Sequence, residues 1–337
     1  MTTVARTTEG TAASVELSRL RPGDGFAGVF LLRRAELRRT KNGKDFLDLE
    51  ILDRAGGSLA AKLWDATPEQ HQALRAADVV LVEGEVEAFH ERLQARVRAI
   101  RPAPAGQGVP TVADFLPRTE KDIRALYERL VEIVRSVEND HVRALCLDFI
   151  ADPELRRRFV RAPAAVSNHH ACVGGLLEHV VSLAEACLRI AALYPVLDRD
   201  LLVAGAVLHD IGKVEELGVA RGFEYTDRGR LVGHIVIGVL WLEERARRIE
   251  GFPPELLDRL KHLILSHHGT RDCGSPVEPC TAEAIALHFL DNLDAKLWAF
   301  ARATREAAES GATWTPYHRL FGRPLFAGER PAGPPSP

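Results

Sequence analysis

Histidine and aspartate side chains recur at the ends of apolar stretches in the second half of the 337-residue chain. His209 and Asp210 end the run in AVLHDIGK, and Asp291 ends the run in LHFLD. The other members of this set are His179 in GGLLEHVV, His234 in LVGHIVIG and the pair His267-His268 in LILSHHGT. Imidazole and carboxylate groups together suit a mid-series divalent ion such as manganese, iron or zinc.

A lone histidine in an apolar helix is more often a hydrogen-bonded core residue than a metal ligand. Here several such interruptions fall in one helical half, and burying each without a partner would cost several kcal/mol. The set therefore predicts a metal site. Neighbouring helical residues point about 100° apart, so His209 can face one ion while the two oxygens of Asp210 bridge a pair of ions about 3.5–4 Å apart.

The elements that must position these side chains are helices. From about residue 119 the apolar residues follow a helical period, and Thr119 with Asp122 indicates a helix start before IRALYERLVEIV. Further helices are predicted near 138–150, 153–161, 174–193, 198–210, 233–249, 254–268 and 281–309. We predict an all-α helical bundle over 119–323.

The first half alternates apolar and polar residues with a strand period, as in Leu47, Leu49 and Ile51. Five strands are predicted at 26–36, 45–53, 58–64, 79–86 and 92–100, with one helical segment, PEQHQALRAA, after the third. This is the order of an all-β OB-fold barrel, which we place at 15–101. The Pro- and Gly-rich segment 102–118 is the predicted linker, and the tails 1–14 and 324–337 are predicted to lack fixed structure.

Composition narrows the class of protein. The chain is 46% hydrophobic and 27% charged, with a net charge of −3, so a nucleic-acid surface would have to be local. Five cysteines without a CxxC pair favour reduced thiols. We find no signal peptide and no apolar run of about 20 residues. We therefore expect a cytoplasmic protein without a membrane partner.

The barrel half carries a basic hairpin, RRAELRRTKNGK, opposed within it only by Glu36. A basic groove with an aromatic side chain is the usual single-strand-binding surface of this fold. The candidate substrate-binding residues here are Arg38, Arg39, Lys41, Lys62, Trp64 and Arg96. The alternative is that the charges are solvated edges and that Trp64 points into the core.

The order His179, His209-Asp210, Asp291 resembles the signature of the HD-domain metal-dependent phosphohydrolases. The amino-acid sequence is also similar to the YhaM-type 3′→5′ exoribonucleases over about residues 20–323. The phrases that carry this resemblance are NHHACVGGLLEHV, AGAVLHDIGKVEE, GRLVGHIVIG, LILSHHGTRDCGSPVEP and LHFLDNLDAK. It implies an OB fold followed by an HD domain, with His179, His209, Asp210 and Asp291 as core ligands. His234 and His267 would complete the shell of a second ion.

The resemblance also implies divalent ions, two in the site, with manganese expected and iron, cobalt, zinc or magnesium as alternatives. Lys213 would contact the scissile phosphate; the alternative is a solvated lysine beside Glu215 and Glu216. His268 is a further catalytic candidate. His169 and His170 would contact substrate or support the ligands, and Asp294 would orient a histidine.

The implied activity is 3′→5′ exonucleolytic cleavage of single-stranded RNA to 5′-mononucleotides, with single-stranded DNA as an alternative substrate. A nucleotide or cyclic-dinucleotide phosphohydrolase is the alternative enzyme, although GTRDCGSP lacks the GYP phrase of cyclic-di-GMP hydrolases. A non-catalytic single-strand-binding protein is the alternative outside enzymes. A homo-oligomer is compatible with the sequence but does not follow from it.

Overall fold

The computed structural model describes residues 15–89, 92–104, 110–166, 170–219 and 222–328. The chain divides into two compact units, Met1–Pro117 with Val219–Glu224 and Arg118–Gly218 with Tyr225–Pro337. The predicted tail at 1–14 lies outside the described residues. The segment 324–328, assigned to the C-terminal tail, lies within them: Leu325 is buried, and Ala327 donates its N–H to the Thr313 carbonyl.

The first unit contains a closed five-stranded barrel, so the predicted OB fold is confirmed. The strands are β1 (Gly25–Arg39), β2 (Asp45–Leu52), β3 (Ser58–Trp64), β4 (Val79–Phe89) and β5 (Arg92–Pro102), with helix α1 (Pro68–Arg75) between β3 and β4. Their order around the barrel is β1-β2-β3-β5-β4, and β1 closes it by pairing with β4. This order, with one helix after β3, is that of an OB fold.

The barrel forms because its strands alternate. Leu47, Leu49 and Ile51 of β2 are fully buried, whereas the intervening Asp48 and Glu50 are partly exposed. The buried side chains of all five strands meet in one apolar core. The side chains between them are left on the outer surface.

The second unit is helical, as predicted for an HD domain. Its helices are α2 (Ile123–Arg135), α3 (Asp140–Ala151), α4 (Pro153–Phe159), α5 (Gly175–Leu193), α6 (Arg199–Leu208), α7 (Lys213–Glu216), α8 (Asp227–Val232), α9 (His234–Ala246), α10 (Pro254–Ser266) and α11 (Ala282–Glu309). Two short strands, β6 (Leu217–Val219) and β7 (Phe223–Tyr225), form a two-stranded ribbon. The sequence pattern did not predict α8 or this ribbon.

The first helix begins at Ile123, where IRALYERLVEIV begins, but its N-cap differs from the predicted one. Asp122 accepts from the N–H groups of Arg124 and Ala125, while Thr119 donates its hydroxyl to Glu178. The helix predicted over 198–210 ends at Leu208. His209 and Asp210 therefore lie at the point where the chain turns out of α6.

The centre of this unit is the pair α5 and α6. Every residue of α6 from Leu201 to Leu208 is buried, and α5 and α6 pack against each other and against α11. A polar side chain placed here must find a partner, because an unpaired buried group is costly. Among the described helices, none is both long and apolar enough to cross a membrane.

Candidate metal centre

Three helices bring the first group of polar side chains together at the end of α6. His179 of α5 places Nε2 3.2 Å from His209 Nε2 and 3.2 Å from Asp291 Oδ1 of α11. His209 Nε2 lies 3.3 Å from Asp210 Oδ2. The two histidines are fully buried and Asp210 nearly so. Two imidazole nitrogens and two carboxylates thus converge on one point.

A second group lies on the other side of the Asp210 carboxylate. Asp210 Oδ1 is 3.5 Å from His234 Nε2 and 3.6 Å from His267 Nε2. The ligand atoms of His234, His267 and His268 all lie within 4.8 Å of one another. The two oxygens of Asp210 therefore face two different groups of histidines.

The donor atoms of the second group fit a cation. Asp210 Oδ1, His234 Nε2 and His267 Nε2 are buried without a hydrogen-bond partner. Leaving a buried polar atom unsatisfied costs about 1–3 kcal/mol, so three unsatisfied atoms directed at one another are expensive. A divalent ion that accepts imidazole and carboxylate ligands would satisfy all three.

The other ring nitrogen of each histidine is held by an acceptor. His209 Nδ1 lies 3.0 Å from the Ala206 carbonyl and His267 Nδ1 lies 2.7 Å from the Ile264 carbonyl. A carbonyl can only accept, so each Nδ1 carries the proton and each Nε2 presents a lone pair to the site. This outer bonding fixes the tautomer that a metal ligand requires.

Two carboxylates do the same for the remaining histidines. Asp294 Oδ2 accepts from His179 Nδ1 at 2.7 Å, as the sequence analysis anticipated for this residue. Glu216 Oε1 lies 3.0 Å from His234 Nδ1 and 2.9 Å from the His234 N–H. The role of Glu216 was not predicted. In the sequence Glu216 lies three residues after Lys213 and suggested only a solvated acidic partner for that lysine.

The charged side chains around His179 and Asp210 shift the pKa values of both residues. Burial disfavours a charged His179, but its bonds with Asp291 and Asp294 outweigh burial and raise the pKa of His179 to about 10, so a metal ion would have to displace the proton on Nε2. Burial likewise opposes the Asp210 charge, yet the Lys213 ammonium holds the pKa of its carboxyl well below the usual range. The carboxylates are therefore ionised at neutral pH, as ligands must be.

Lys213 contacts the Asp210 carboxylate, which lies between the two groups of histidines. Its Nζ lies 2.6 Å from Asp210 Oδ2, and burial, which disfavours the ammonium, is outweighed by Asp210, so that the pKa of Lys213 is raised. The alternative of a solvated lysine beside Glu215 and Glu216 is wrong in that Lys213 is buried. Lys213 is 9% exposed, and Glu215 pairs with Arg158 at 2.9 Å instead.

The surroundings of His268 and His170 do not favour direct contact of either side chain with a substrate. Burial and the neighbouring His267 lower the pKa of His268 to about 4, and its Nδ1 bonds the Cys273 carbonyl. A neutral ring with the proton on Nδ1 has none on Nε2 to give to a leaving oxygen. His170 is 2% exposed, bonds Asp294 at 3.1 Å and stacks on Trp298. His169 lies outside the described residues.

The barrel carries a separate polar-aromatic surface. Lys62 Nζ lies 5.6 Å from the ring centroids of Phe46 and Trp64 and 5.2 Å from that of Phe89. Trp64 is 38% exposed, so the alternative that it points into the core is wrong. Arg96 of β5 is also exposed and pairs in register with Lys62 of β3. We call Phe46, Lys62, Trp64 and Phe89 the aromatic platform.

The arginines of the β1–β2 hairpin are already paired. Arg38 lies 2.6 Å from Glu36 and 3.1 Å from Asp48, and Arg39 lies 2.7 Å from Asp45. The antiparallel register of β1 and β2 places Asp45 opposite Arg39 and Asp48 opposite Glu36, two residues before Arg38. Aspartates of β2 therefore offset the positive charge of the hairpin in addition to Glu36. Lys41 is exposed at the turn of the hairpin.

An OB barrel joined to a helical unit with clustered histidines and aspartates defines a phosphohydrolase of the HD class. The HD-domain family model matches residues 176–296. The chain is 38% identical to the 3′-5′ exoribonuclease YhaM of Bacillus velezensis, covering 90% of this chain and 96% of that protein. The 3′-5′ exoribonuclease YhaM of Bacillus subtilis is also 38% identical, covering 90% of this chain and 96% of that protein. The chain belongs to the YhaM family of 3′-5′ exoribonucleases.

A further relative of that name, from a Geobacillus species, is 37% identical over 89% of this chain and 92% of its own. Among solved structures, the second OB-fold domain of replication protein A from Methanococcus maripaludis is 20% identical. It covers 27% of this chain and 96% of its own, with a TM-score of 0.21. The OB assignment rests on the strand order of the barrel.

Proposed function

We propose that the protein is a metal-dependent 3′→5′ exoribonuclease that shortens single-stranded RNA to 5′-mononucleotides, with single-stranded DNA as an alternative substrate. Its relatives carry the name of this activity. The observation that carries the proposal is the Asp210 carboxylate, whose oxygens face two histidine groups inside the helical unit. One carboxylate shared by two ions is the arrangement of two-metal phosphoester hydrolases.

The ligand sets follow from these distances. His179, His209, Asp210 and Asp291 would hold the first ion, and Asp210, His234 and His267 would hold the second, with His268 beside them. Manganese is the expected ion because the site offers carboxylate oxygens together with imidazoles; iron, cobalt and zinc accept the same mixture, and magnesium fits it less well because it prefers oxygen ligands. Bound ions of this kind supply Lewis acidity to the scissile phosphate and acidify a water.

The protein's own charges complete the site. The Lys213 ammonium lies beside the oxygen of Asp210 that faces the first group, so it can neutralise a phosphate oxygen held there as a point charge. The bonds of Asp294 and Glu216 orient His179 and His234. His170 supports Asp294 from behind rather than contacting the strand.

The aromatic platform is assigned to strand binding. Exposed Trp64 and Phe89 can stack on bases of any sequence, and Lys62 with Arg96 can offset backbone phosphates. Lys41 adds charge at the hairpin turn. Arg38 and Arg39 would contribute less, because their acidic partners offset them. The substrate is thus a single strand rather than a free nucleotide.

The test is hydrolysis of single-stranded RNA labelled at its 5′ end, in the presence of Mn²⁺, resolved on a sequencing gel. The wild type is expected to give a ladder of shortened labelled products and to release 5′-mononucleotides. Asp210→Ala should abolish the ladder and lower the metal content, because both ions lose a shared ligand. Asp258→Ala, an exposed aspartate of α10, is the matched control and should behave as the wild type.

Lys213→Ala belongs in the same assay. It should slow single-turnover cleavage by on the order of 10²–10³, the usual effect of removing one charge-stabilising contact. Strand affinity should stay near that of the wild type. An intact band with the wild type and every metal tested contradicts the proposed activity. Full metal content in Asp210→Ala removes Asp210 as the bridge.

A further inference from the structure

Helix α11 has two faces with opposite character. Asp291 and Asp294 lie on the face that meets the histidines of α5. The opposite face carries a row of exposed apolar side chains spaced by three or four residues: Ile285, Phe289, Leu293, Leu297 and Phe300. We call this row the apolar ridge. The outward face of a helix in a monomer is normally polar, so the ridge requires an explanation.

The exposed apolar area is large. The ridge continues into the next segment, because Phe300 packs edge-on against Phe321 at 6.3 Å, and this segment exposes Trp314, Tyr317, Leu320 and Phe326. With about 150–250 Å² for an aromatic side chain, these nine half-exposed residues present on the order of 800 Å². Each partner of a standard specific interface contributes about 800 Å², and a monomer rarely exposes such an area.

Apolar side chains outnumber charged ones on this surface. Helical spacing places Ala286, Asn292, Ala301 and Thr304 beside the ridge, with Lys296 as the charged residue there, and the next segment exposes Arg319 and Arg323. The centre of a protein–protein interface is apolar and depleted in charge, with polar residues at its rim. The occupant is therefore another apolar protein surface.

The ridge is matched to itself. Its residues are distributed evenly on both sides of Leu293, with Ile285 and Phe289 before it and Leu297 and Phe300 after it. A two-fold axis through Leu293 would place Leu293 against its own copy and Phe289 of one chain near Leu297 of the other. Such an isologous contact uses one patch twice and closes after two chains.

We propose that a second copy of this chain binds the apolar ridge, in a two-fold symmetric pair centred on Leu293. This interface lies on the face of α11 opposite Asp291. The proposal does not depend on the nuclease activity, since it concerns association alone.

The first test is the mass of the full chain in solution by light scattering after size exclusion. The wild type is expected at a multiple of 37.1 kDa, with at least two chains. Phe289→Lys and Leu297→Lys should each shift the mass to that of one chain, with unchanged circular dichroism. Leu193→Lys is the matched control, because Leu193 is 70% exposed but lies on α5. A wild-type monomer, or an assembly that survives both ridge variants, overturns the proposal.

The second test is a cross-link at the axis. Cys273 and Cys280 are the exposed thiols, and Cys146, Cys172 and Cys187 are buried, so a Cys273→Ser, Cys280→Ser background has no reactive thiol at its surface. Leu293→Cys in this background should form a disulfide-linked dimer on mild oxidation. Leu193→Cys should remain a single chain on the gel. Failure of Leu293→Cys to cross-link overturns the two-fold pairing at this residue.

Discussion

At the scale of single residues, the second nitrogen of each histidine decides what the first can do. His179 and His234 bond carboxylates through Nδ1, whereas His209 and His267 bond main-chain carbonyls. A carboxylate makes the ring a stronger donor to a cation than a carbonyl does. One histidine of each group therefore carries this added basicity.

The Glu216 carboxylate gives a sharp prediction. Glu216→Gln keeps the size and one acceptor oxygen but loses the charge that His234 contacts at 3.0 Å. We expect affinity for the second metal ion to fall by about 10–100-fold, the usual effect of losing such an outer partner. The first ion should be unaffected. Calorimetric titration of the metal-free protein with Mn²⁺ resolves the two sites.

The control is next to it in the chain. Glu215→Gln removes the same charge from a residue that pairs with Arg158 and contacts none of the histidines described above. Its two metal affinities should match those of the wild type. If Glu216→Gln and Glu215→Gln titrate alike, Glu216 does not tune the site.

The sequence identified the inner side chains because type and spacing suffice for them. His179, His209 and Asp291 each interrupt an apolar run that must be buried, so their need for a partner can be seen in the sequence. The partners of Nδ1 could not be predicted in general. The Ala206 and Ile264 carbonyls accept only because α6 and α10 end where they do, and main-chain groups leave no signal in residue type.

At the scale of elements, the turn after α6 separates the two histidine groups. A helix was predicted near 198–210, with His209 and Asp210 as its last residues. The chain instead leaves the helix at Leu208 and resumes as α7 at Lys213. The three-residue strands of the β6–β7 ribbon are too short to show a period, which is why they were missed.

Gly212 makes this turn fit against the start of α9. A Cβ at this position would lie 2.1 Å from the main-chain oxygen of His234, closer than any relaxed contact allows. Gly212→Ala should therefore destabilise the fold by at least about 2 kcal/mol, since main chain cannot move aside as a side chain can. Urea denaturation followed by circular dichroism measures the change.

Gly238, inside α9, is the matched control. A Cβ there meets Ile264 Cγ2 at 3.5 Å, an ordinary contact. Gly238→Ala should leave the free energy of unfolding unchanged or raise it by up to about 1 kcal/mol through helix propensity. Equal stability of the two variants would show that the turn and α9 are not in the close contact described.

At the scale of the whole molecule, the sequence predicted two domains because its period changes once, from that of strands to that of helices. It did not predict how charges cancel between strands. In the sequence only Glu36 opposes the arginines of the hairpin, and it is the pairing of β1 with β2 that brings Asp48 near Arg38 and Asp45 near Arg39. We therefore propose the aromatic platform, and not the hairpin arginines, as the strand-binding surface.

The assignment of strand binding to the aromatic platform is tested with the full chain. Its binding to long single-stranded RNA is measured at several salt concentrations without divalent metal. Trp64→Ala should weaken binding by about 1–3 kcal/mol, the contribution of one stacked base. Lys62→Ala should also make the salt dependence shallower, because fewer counterions are released. Cleavage of a short substrate that cannot reach the barrel should be unchanged in both variants, since neither residue contacts the metal centre.

The matched control for these two variants is Arg98→Ala, which removes a barrel arginine already paired with Glu85 at 2.5 Å. Exposed paired charges contribute little to binding a third partner, so its affinity and salt slope should stay near those of the wild type. Lys62→Ala would then differ from Arg98→Ala although both remove one positive charge. If Trp64→Ala and Lys62→Ala bind long RNA as the wild type does, the platform is not the strand-holding surface, and the basic hairpin of β1 and β2 is the surface to test next.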